Sequence, residues 1–169
     1  MKTALTVASV LSWINIIIWG LIVVFGLVIT VPMGQLLYVS VAVLLSAIPL
    51  NCFAALKLHA SIRHPNIPLS HETPVGIRFI GIMALFFGFL YVGYGIIIIG
   101  HPRLLLDSAN IMPKQMPGYS PEDIAAMGKF AVVLGGVIAL LLGLSVVVNV
   151  VLNIRLLRWY YLVRKSDVS

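Results

Sequence analysis

Acidic side chains are nearly missing from this chain. Five Asp and Glu stand among 169 residues, against eleven Lys and Arg, and charged residues make up only 9% of the whole. Soluble domains carry roughly a quarter charged residues, so a water-soluble globule is excluded. The few charges are gathered: none occurs from Thr3 to Leu56, from Phe79 to Gly100, or from Phe130 to Ile154. A single cysteine, Cys52, excludes an intramolecular disulfide and a Cys-x-x-Cys redox pair. The uncharged runs also hold no histidine. Intramembrane proton and ion coupling draws on carboxylates, histidines or basic groups, so a drug/proton antiporter and a b-type haem carrier are both disfavoured. No phosphate-cradling glycine loop is present. Ser70-His71-Glu72, consecutive in a proline-rich segment, has no nucleophile-and-base geometry.

What remains is apolar, at 61% of residues. About 20 apolar residues at 1.5 Å rise cross a hydrocarbon core of about 30 Å, so each uncharged gap is long enough to span. The first is long enough for two spans, and Thr30-Val31-Pro32-Met33-Gly34-Gln35 divides it with turn chemistry. The expected fold is an all-α integral membrane protein: one domain over residues 1–169, a four-helix transmembrane bundle with spans at about 5–31, 36–57, 77–100 and 122–160. A cytoplasmic loop over 58–76 and an outer loop over 101–121 would join them. The first apolar run exceeds the length of a signal-peptide core and no small-x-small site follows it, so it is expected to stay attached.

Orientation follows the distribution of Lys and Arg in short loops. Lys2, Lys57, Arg63, Arg78, Arg155, Arg158, Arg164 and Lys165 fall on one side. Arg103, Lys114 and Lys129 fall on the other, where Asp107, Glu122 and Asp123 balance them. The first side carries the whole net charge of +6 and is read as cytoplasmic, with both termini there. The cations are spread along membrane boundaries, without the groove and interleaved aromatics of a nucleic-acid site. Anionic headgroups are the expected partner for them, no nucleic acid is expected, and Trp159-Tyr160-Tyr161 and Trp13 fit an aromatic belt.

Neither loop offers a convincing reactive centre. The inner one holds His59, His64, His71 and Glu72 among Pro65, Pro68 and Pro74, and the histidine spacings match no zinc signature. The outer one places His101, Met112, Met116 and Met127 on one side. Soft thioethers with imidazole can bind Cu(I), but methionine in an apolar loop ordinarily packs, so neither metal nor cofactor is expected. Ser120-Pro121-Glu122-Asp123 is a helix start: a capping hydroxyl, a proline at the first helical position, and acids where the dipole favours them.

The informative stretch is Ser46-Ala47-Ile48-Pro49-Leu50-Asn51-Cys52. Pro49 lacks an amide hydrogen, so the Leu45 carbonyl loses its partner and the helix should kink, with Ser46 available for repair. Asn51 should face protein and not acyl chains. It lies six residues before Lys57, as Asn149 lies six before Arg155, which puts both about 9 Å inside the interface at one level. With Asn15 rising from the same side and Asn153 one turn below Asn149, the pattern predicts an asparagine layer across three helices, to which the kink contributes a carbonyl. On the third span, Gly81, Ala84, Gly88 and Gly95 form a smooth stripe for close helix approach or for a docked partner; on the fourth, Gly135, Ser145, Asn149 and Asn153 fall roughly on one face. Phe25-Gly26-Leu27-Val28-Ile29-Thr30-Val31-Pro32 echoes the segment from Tyr94 to Pro102, which would suit two tandem helical hairpins.

These readings lead to a noncatalytic multi-pass protein, a small subunit or scaffold that packs against itself or a larger membrane protein. The alternative is a permease or channel-like module for a small neutral solute, lined by the asparagines. A weaker third reading is a lipid-directed enzyme using His64, His71 and Glu72. A bacterial inner membrane suits the compact design.

Overall fold

A computed structural model describes residues 2–64, 66–70, 72–103, 106 and 120–166. His71, Met112 and Met116, together with Leu104, Leu105, Pro113 and Pro117, lie outside the described residues. Five helices account for nearly all the rest, and no strand occurs among the described residues: α1 Lys2–Thr30, α2 Leu36–Leu45, α3 Ala47–Arg63, α4 Glu72–Gly100 and α5 Pro121–Ser166. With α2 and α3 taken as one interrupted span, four helical segments are long and apolar enough to cross a membrane: Thr3–Thr30, Leu36–Arg63, Glu72–Gly100 and Glu122–Val163.

The helix ends follow from local chemistry. α1 gives way at Val31-Pro32, and the turn closes where Gly34 takes φ 65, a left-handed conformation that costs glycine nothing. The Gly34 amide donates to the Val31 carbonyl at 3.1 Å, and the Leu36 amide to the Gly34 carbonyl at 3.0 Å, as α2 begins. At the head of α5, the Ser120 hydroxyl accepts from the Asp123 amide at 3.2 Å, while Asp123 Oδ2 accepts from the Ser120 amide at 3.2 Å and from its hydroxyl at 2.6 Å. This reciprocal cap starts a helix of 46 residues, about 69 Å long at 1.5 Å per residue.

Two expected boundaries are corrected. α3 runs past Lys57 to Arg63, because the strongest local stop is Pro65, which disfavours the helical region for the residue before it. α4 begins at Glu72, with Pro74 in its first turn, where the missing amide hydrogen has no helical partner to lose. The connection expected over 58–76 therefore shortens to 64–71. The break in the second span sits at Ser46, three residues before Pro49. There the Ser46 amide donates to the carbonyls of Ala42 (3.1 Å) and Val43 (3.2 Å), its hydroxyl donates to Val43 O at 2.6 Å, and Leu50 N to Ser46 O (3.1 Å) resumes the ladder. The Ser46 hydroxyl serves the Val43 carbonyl and not that of Leu45.

By compactness the chain divides into residues 1–87 with 145–169, and residues 88–144. This division cuts across α4 and α5 and does not follow two consecutive hairpins. In the first unit α1 packs on α2 and α3, and Ala8, Leu58, Ile77, Leu156 and Leu157 form a buried cluster. In the second unit α4 and α5 meet backbone to backbone. A Cβ on Gly143 would lie 2.7 Å from the Gly88 carbonyl oxygen and 2.7 Å from the Val92 amide nitrogen. A Cβ on Gly95 would lie 2.7 Å from the Gly136 carbonyl oxygen and 2.8 Å from the Leu140 amide nitrogen. Nothing larger than hydrogen fits at either contact.

Candidate functional site

Several of the polar side chains buried in the first unit meet in one seam. Ser12, Asn15, Asn51, Asn149 and Asn153 are fully buried, and Cys52 and His59 are 2% exposed. Periodicity explains the convergence. Ser12 and Asn15 are three residues apart on α1; Ser145, Asn149 and Asn153 follow at intervals of four on α5; Cys52 and His59 are seven apart on α3. Such spacings hold side chains on one helix face.

Asn149 is the branch point. Its Oδ1 accepts from the Ser12 hydroxyl at 3.1 Å and from Asn153 Nδ2 at 3.2 Å, and its Nδ2 donates to Cys52 Sγ at 3.2 Å. Asn153 has its amide hydrogen directed to Asn149, so its Oδ1 is the acceptor for His59 Nε2 at 2.9 Å. This bonding assigns the proton of a neutral His59 to Nε2 and leaves Nδ1 as an acceptor; Nδ1 is buried and has no hydrogen-bond partner. One layer along, Asn15 Oδ1 accepts from the Ser145 hydroxyl at 2.9 Å, and Asn15 Nδ2 donates to its own-helix Leu11 carbonyl at 2.9 Å.

Asn51 stands apart from this network. It is fully buried, yet neither Nδ2 nor Oδ1 has a hydrogen-bond partner. The residue faces α4 at Gly81, where a Cβ would lie 3.3 Å from Asn51 Oδ1 and, from α5, 3.4 Å from Val150 Cγ1. Adjacent residues on a helix point about 100° apart, which is why Cys52 joins Asn149 and Asn51 does not.

The candidate residues are thus placed as follows. Asn15, Asn149 and Asn153 enter hydrogen-bonded contact with one another or with neighbouring helices, whereas Asn51 packs beside them without a bond. Ser46 and Pro49 are half-buried and lie outside the seam, and the asparagine amides donate to Leu11 O, Cys52 Sγ and Asn149 Oδ1, none of them to a carbonyl freed by the kink. Gly81 and Ala84 are buried in the first unit, and Gly88 and Gly95 in the second. The second-unit glycines are occupied by α5 and leave no stripe open to a partner. On α5 the contact residues are Gly136 and Gly143, not the exposed Gly135, beside which a Cβ meets nothing within 4 Å.

Ser12 is not singled out by the sequence, and Cys52 and His59 enter there only as a lone cysteine and as a loop histidine. His59 is no solvated loop histidine, because α3 continues through it. His64 and Glu72 are exposed, and His101 and Met127 are exposed as well. Among the described residues no three His, Cys, Asp or Glu side chains gather as metal ligands. The seam contains no Asp, Glu, Lys or Arg and is built of short-range directional bonds, suited to fixing helices against one another. Compared with models of known protein families, with curated proteins and with solved structures, the chain matches none.

Proposed function

We propose that the chain is a noncatalytic, multi-pass membrane protein that serves as a small subunit or scaffold of a membrane assembly. The observation that carries this reading is the internal use of its buried polar groups. Ser12, Asn15, Cys52, His59, Ser145, Asn149 and Asn153 bond to one another and are not turned toward an opening. A conduit needs polar groups presented to its solute; a scaffold needs them to fix helix register.

Insertion is supported by length and surface. Each span of 28 or more residues exceeds the roughly 20 needed to cross, and the outward side chains are apolar, among them Phe25, Ile82 and Phe130. In water such a surface would aggregate; in a bilayer it is at home. The orientation we propose puts both chain ends in the cytoplasm of a bacterial inner membrane. Exposed Lys57, Arg63, Arg78, Arg155 and Arg158 then meet anionic headgroups, with the half-buried Trp159 and Tyr160 at the interface. The partner is a second copy or a larger membrane protein.

Purification in a mild detergent followed by native mass measurement tests the reading: a defined oligomer or a stoichiometric partner is expected, and a lone monomer with no partner argues against it. Proteoliposome flux of small neutral solutes should equal that of empty vesicles. Flux that changes in Asn149→Leu would favour the permease reading instead. Impermeant thiol labelling of cysteines introduced at either end, in a Cys52→Ser background, should report both ends on one side.

A further inference from the structure

One ionisable side chain of the seam is placed to accept a single protonation state. His59 is 2% exposed, its Nε2 lies 2.9 Å from Asn153 Oδ1, and its Nδ1 is buried without a hydrogen-bond partner. A neutral ring suits this arrangement, with its proton on Nε2 and a bare lone pair on Nδ1. A second proton keeps the bond to Asn153 but turns Nδ1 into a donor that faces no acceptor, and sets a full positive charge in the packed interior. The surroundings do not offset that charge. On α3 itself Lys57 and Arg63 are exposed cations, and Cys52, two turns back, is held by Asn149. Of the elements packed around it, α1 carries Lys2, α4 carries Glu72 and Arg78, and α5 carries Arg155, Arg158 and the phenol of Tyr160. Among the described residues of the first unit Glu72 is the one carboxylate, and it is exposed. The charge that acts on the ring is that of Arg63, one turn on, and it has the sign of a protonated imidazole.

We propose that His59 is a proton-operated latch: neutral, it ties the Arg63 end of α3 to α5 through Asn153; protonated, its ring leaves the seam and that end of α3 parts from α5. The route out is short, since four residues, about 6 Å along the axis, separate His59 from Arg63, the last residue of α3. The packed seam accepts only the neutral ring, so the stability that the latch contributes is present at high pH and lost as pH falls. The remaining bonds of the seam join hydroxyls, amides and the Cys52 thiol. None of these groups takes up a proton as pH falls through the histidine range, so the opening is confined to one end. The latch goes beyond the scaffold reading and does not depend on it, because both tests below read a single chain whether or not it assembles.

The full chain is held in lipid nanodiscs with spin labels on cysteines introduced at the exposed His64 and Arg158, in a Cys52→Ser background that keeps an acceptor for Asn149. Distances between the labels are read by pulsed electron resonance from about pH 8 to about pH 4.5, a range that brackets the ordinary histidine value of about 6.5. One short-distance population is expected at the upper end, with a longer one growing in as pH falls, and His59→Phe should hold the short population throughout. Constant distances in the chain that keeps His59 overturn the proposal. An equal response in His59→Phe overturns it as well, because another group then drives the change. A second readout stands even where His59→Phe does not fold. With His64, His71 and His101 replaced by Gln, His59 is the sole histidine, and its ring nitrogen resonances should show the Nε2–H tautomer at the upper pH. The ring should take up its second proton over the interval in which the Asn153 side-chain amide signals move. A ring already protonated at the upper pH, or one that gains its proton while the Asn153 signals stay fixed, overturns the latch.

Discussion

The two compact units of this chain secure the long helix α5 by opposite means. In residues 88–144 the helices approach through what is missing: Gly95 and Gly143 bring backbone against backbone, with carbonyl and amide atoms of the facing helix 2.7–2.8 Å from where a Cβ would stand, and a Cβ on Gly136 would lie 2.9 Å from Ile98 Cγ2. In the other unit α5 presents amides, and Asn149 and Asn153 are bonded to side chains of α1 and α3. In the bilayer we propose for this chain, lipid removes the hydrophobic drive between helices and leaves dispersion and hydrogen bonding. One unit relies on the first and the other on the second. Close packing has a steep repulsive wall and tolerates no added volume, whereas a hydrogen-bonded seam loses its bonds one at a time. The two should respond to mutation very differently.

The largest effects are expected at the glycines. Gly143→Leu and Gly95→Leu must drive α4 and α5 apart, and each should cost about 3 kcal/mol, the upper end for overpacking a close-packed site. Denaturant or steric-trap unfolding in bicelles measures this, and a cost below that of Asn149→Leu would break the contrast. Gly135→Ala is the internal control. Its Cβ meets nothing within 4 Å, so it should be neutral or stabilising by up to about 1 kcal/mol from helix propensity.

Asn149→Leu comes next. It removes three hydrogen bonds at once, to Ser12, Asn153 and Cys52. Interhelical bonds in membranes average about 0.6 kcal/mol each with a maximum near 1.7, so a total of about 2 kcal/mol is expected in the same unfolding assay. The pair His59 and Asn153 should show a coupling of about 0.6 kcal/mol in a double-mutant cycle of His59→Phe and Asn153→Leu. Zero coupling would mean that the 2.9 Å contact contributes no net energy.

Charge gaps made the four long apolar segments legible, because in a chain so poor in charge the few Lys and Arg mark where apolar runs stop. The cation was a worse guide to where a helix stops. Lys57 sits on the continuing α3, and treating it as the end put His59 in a loop, which hid the histidine from the seam. Proline was a better marker on α3, where Pro65 sets the limit, and a misleading one at Pro74, which the first turn of α4 accommodates. Depth counting drew attention to Asn15, Asn51, Asn149 and Asn153, but depth says nothing about rotation. Asn51 and Asn149 do not bond, since Cys52 occupies the direction that Asn149 uses. Ser12 carried no distinguishing signal: Thr30 and Ser40 also sit in apolar helices, and their hydroxyls merely donate to their own backbone at Gly26 and Leu36. The seven-residue spacing of Gly136 and Gly143 mirrors that of Gly88 and Gly95 and was available in the sequence; Gly135 beside Gly136 blurred it.

The smallest effect belongs to Ser145→Ala. The Ser145 hydroxyl donates to Asn15 Oδ1 at 2.9 Å, while Asn15 keeps its separate bond from Nδ2 to Leu11 O. Removing the hydroxyl leaves one acceptor of Asn15 unpaired and adds no volume, and alanine is the better helix former. The net cost should be about 0.5 kcal/mol, near the average for a single intramembrane bond. If the contrast between the units holds, Gly143→Ala, which adds one methyl where Ser145→Ala removes one hydroxyl, should cost at least twice as much in the same bicelles. Equal costs would mean that the glycine contact yields by sliding, and that its backbone proximity is no stiffer than a hydrogen bond.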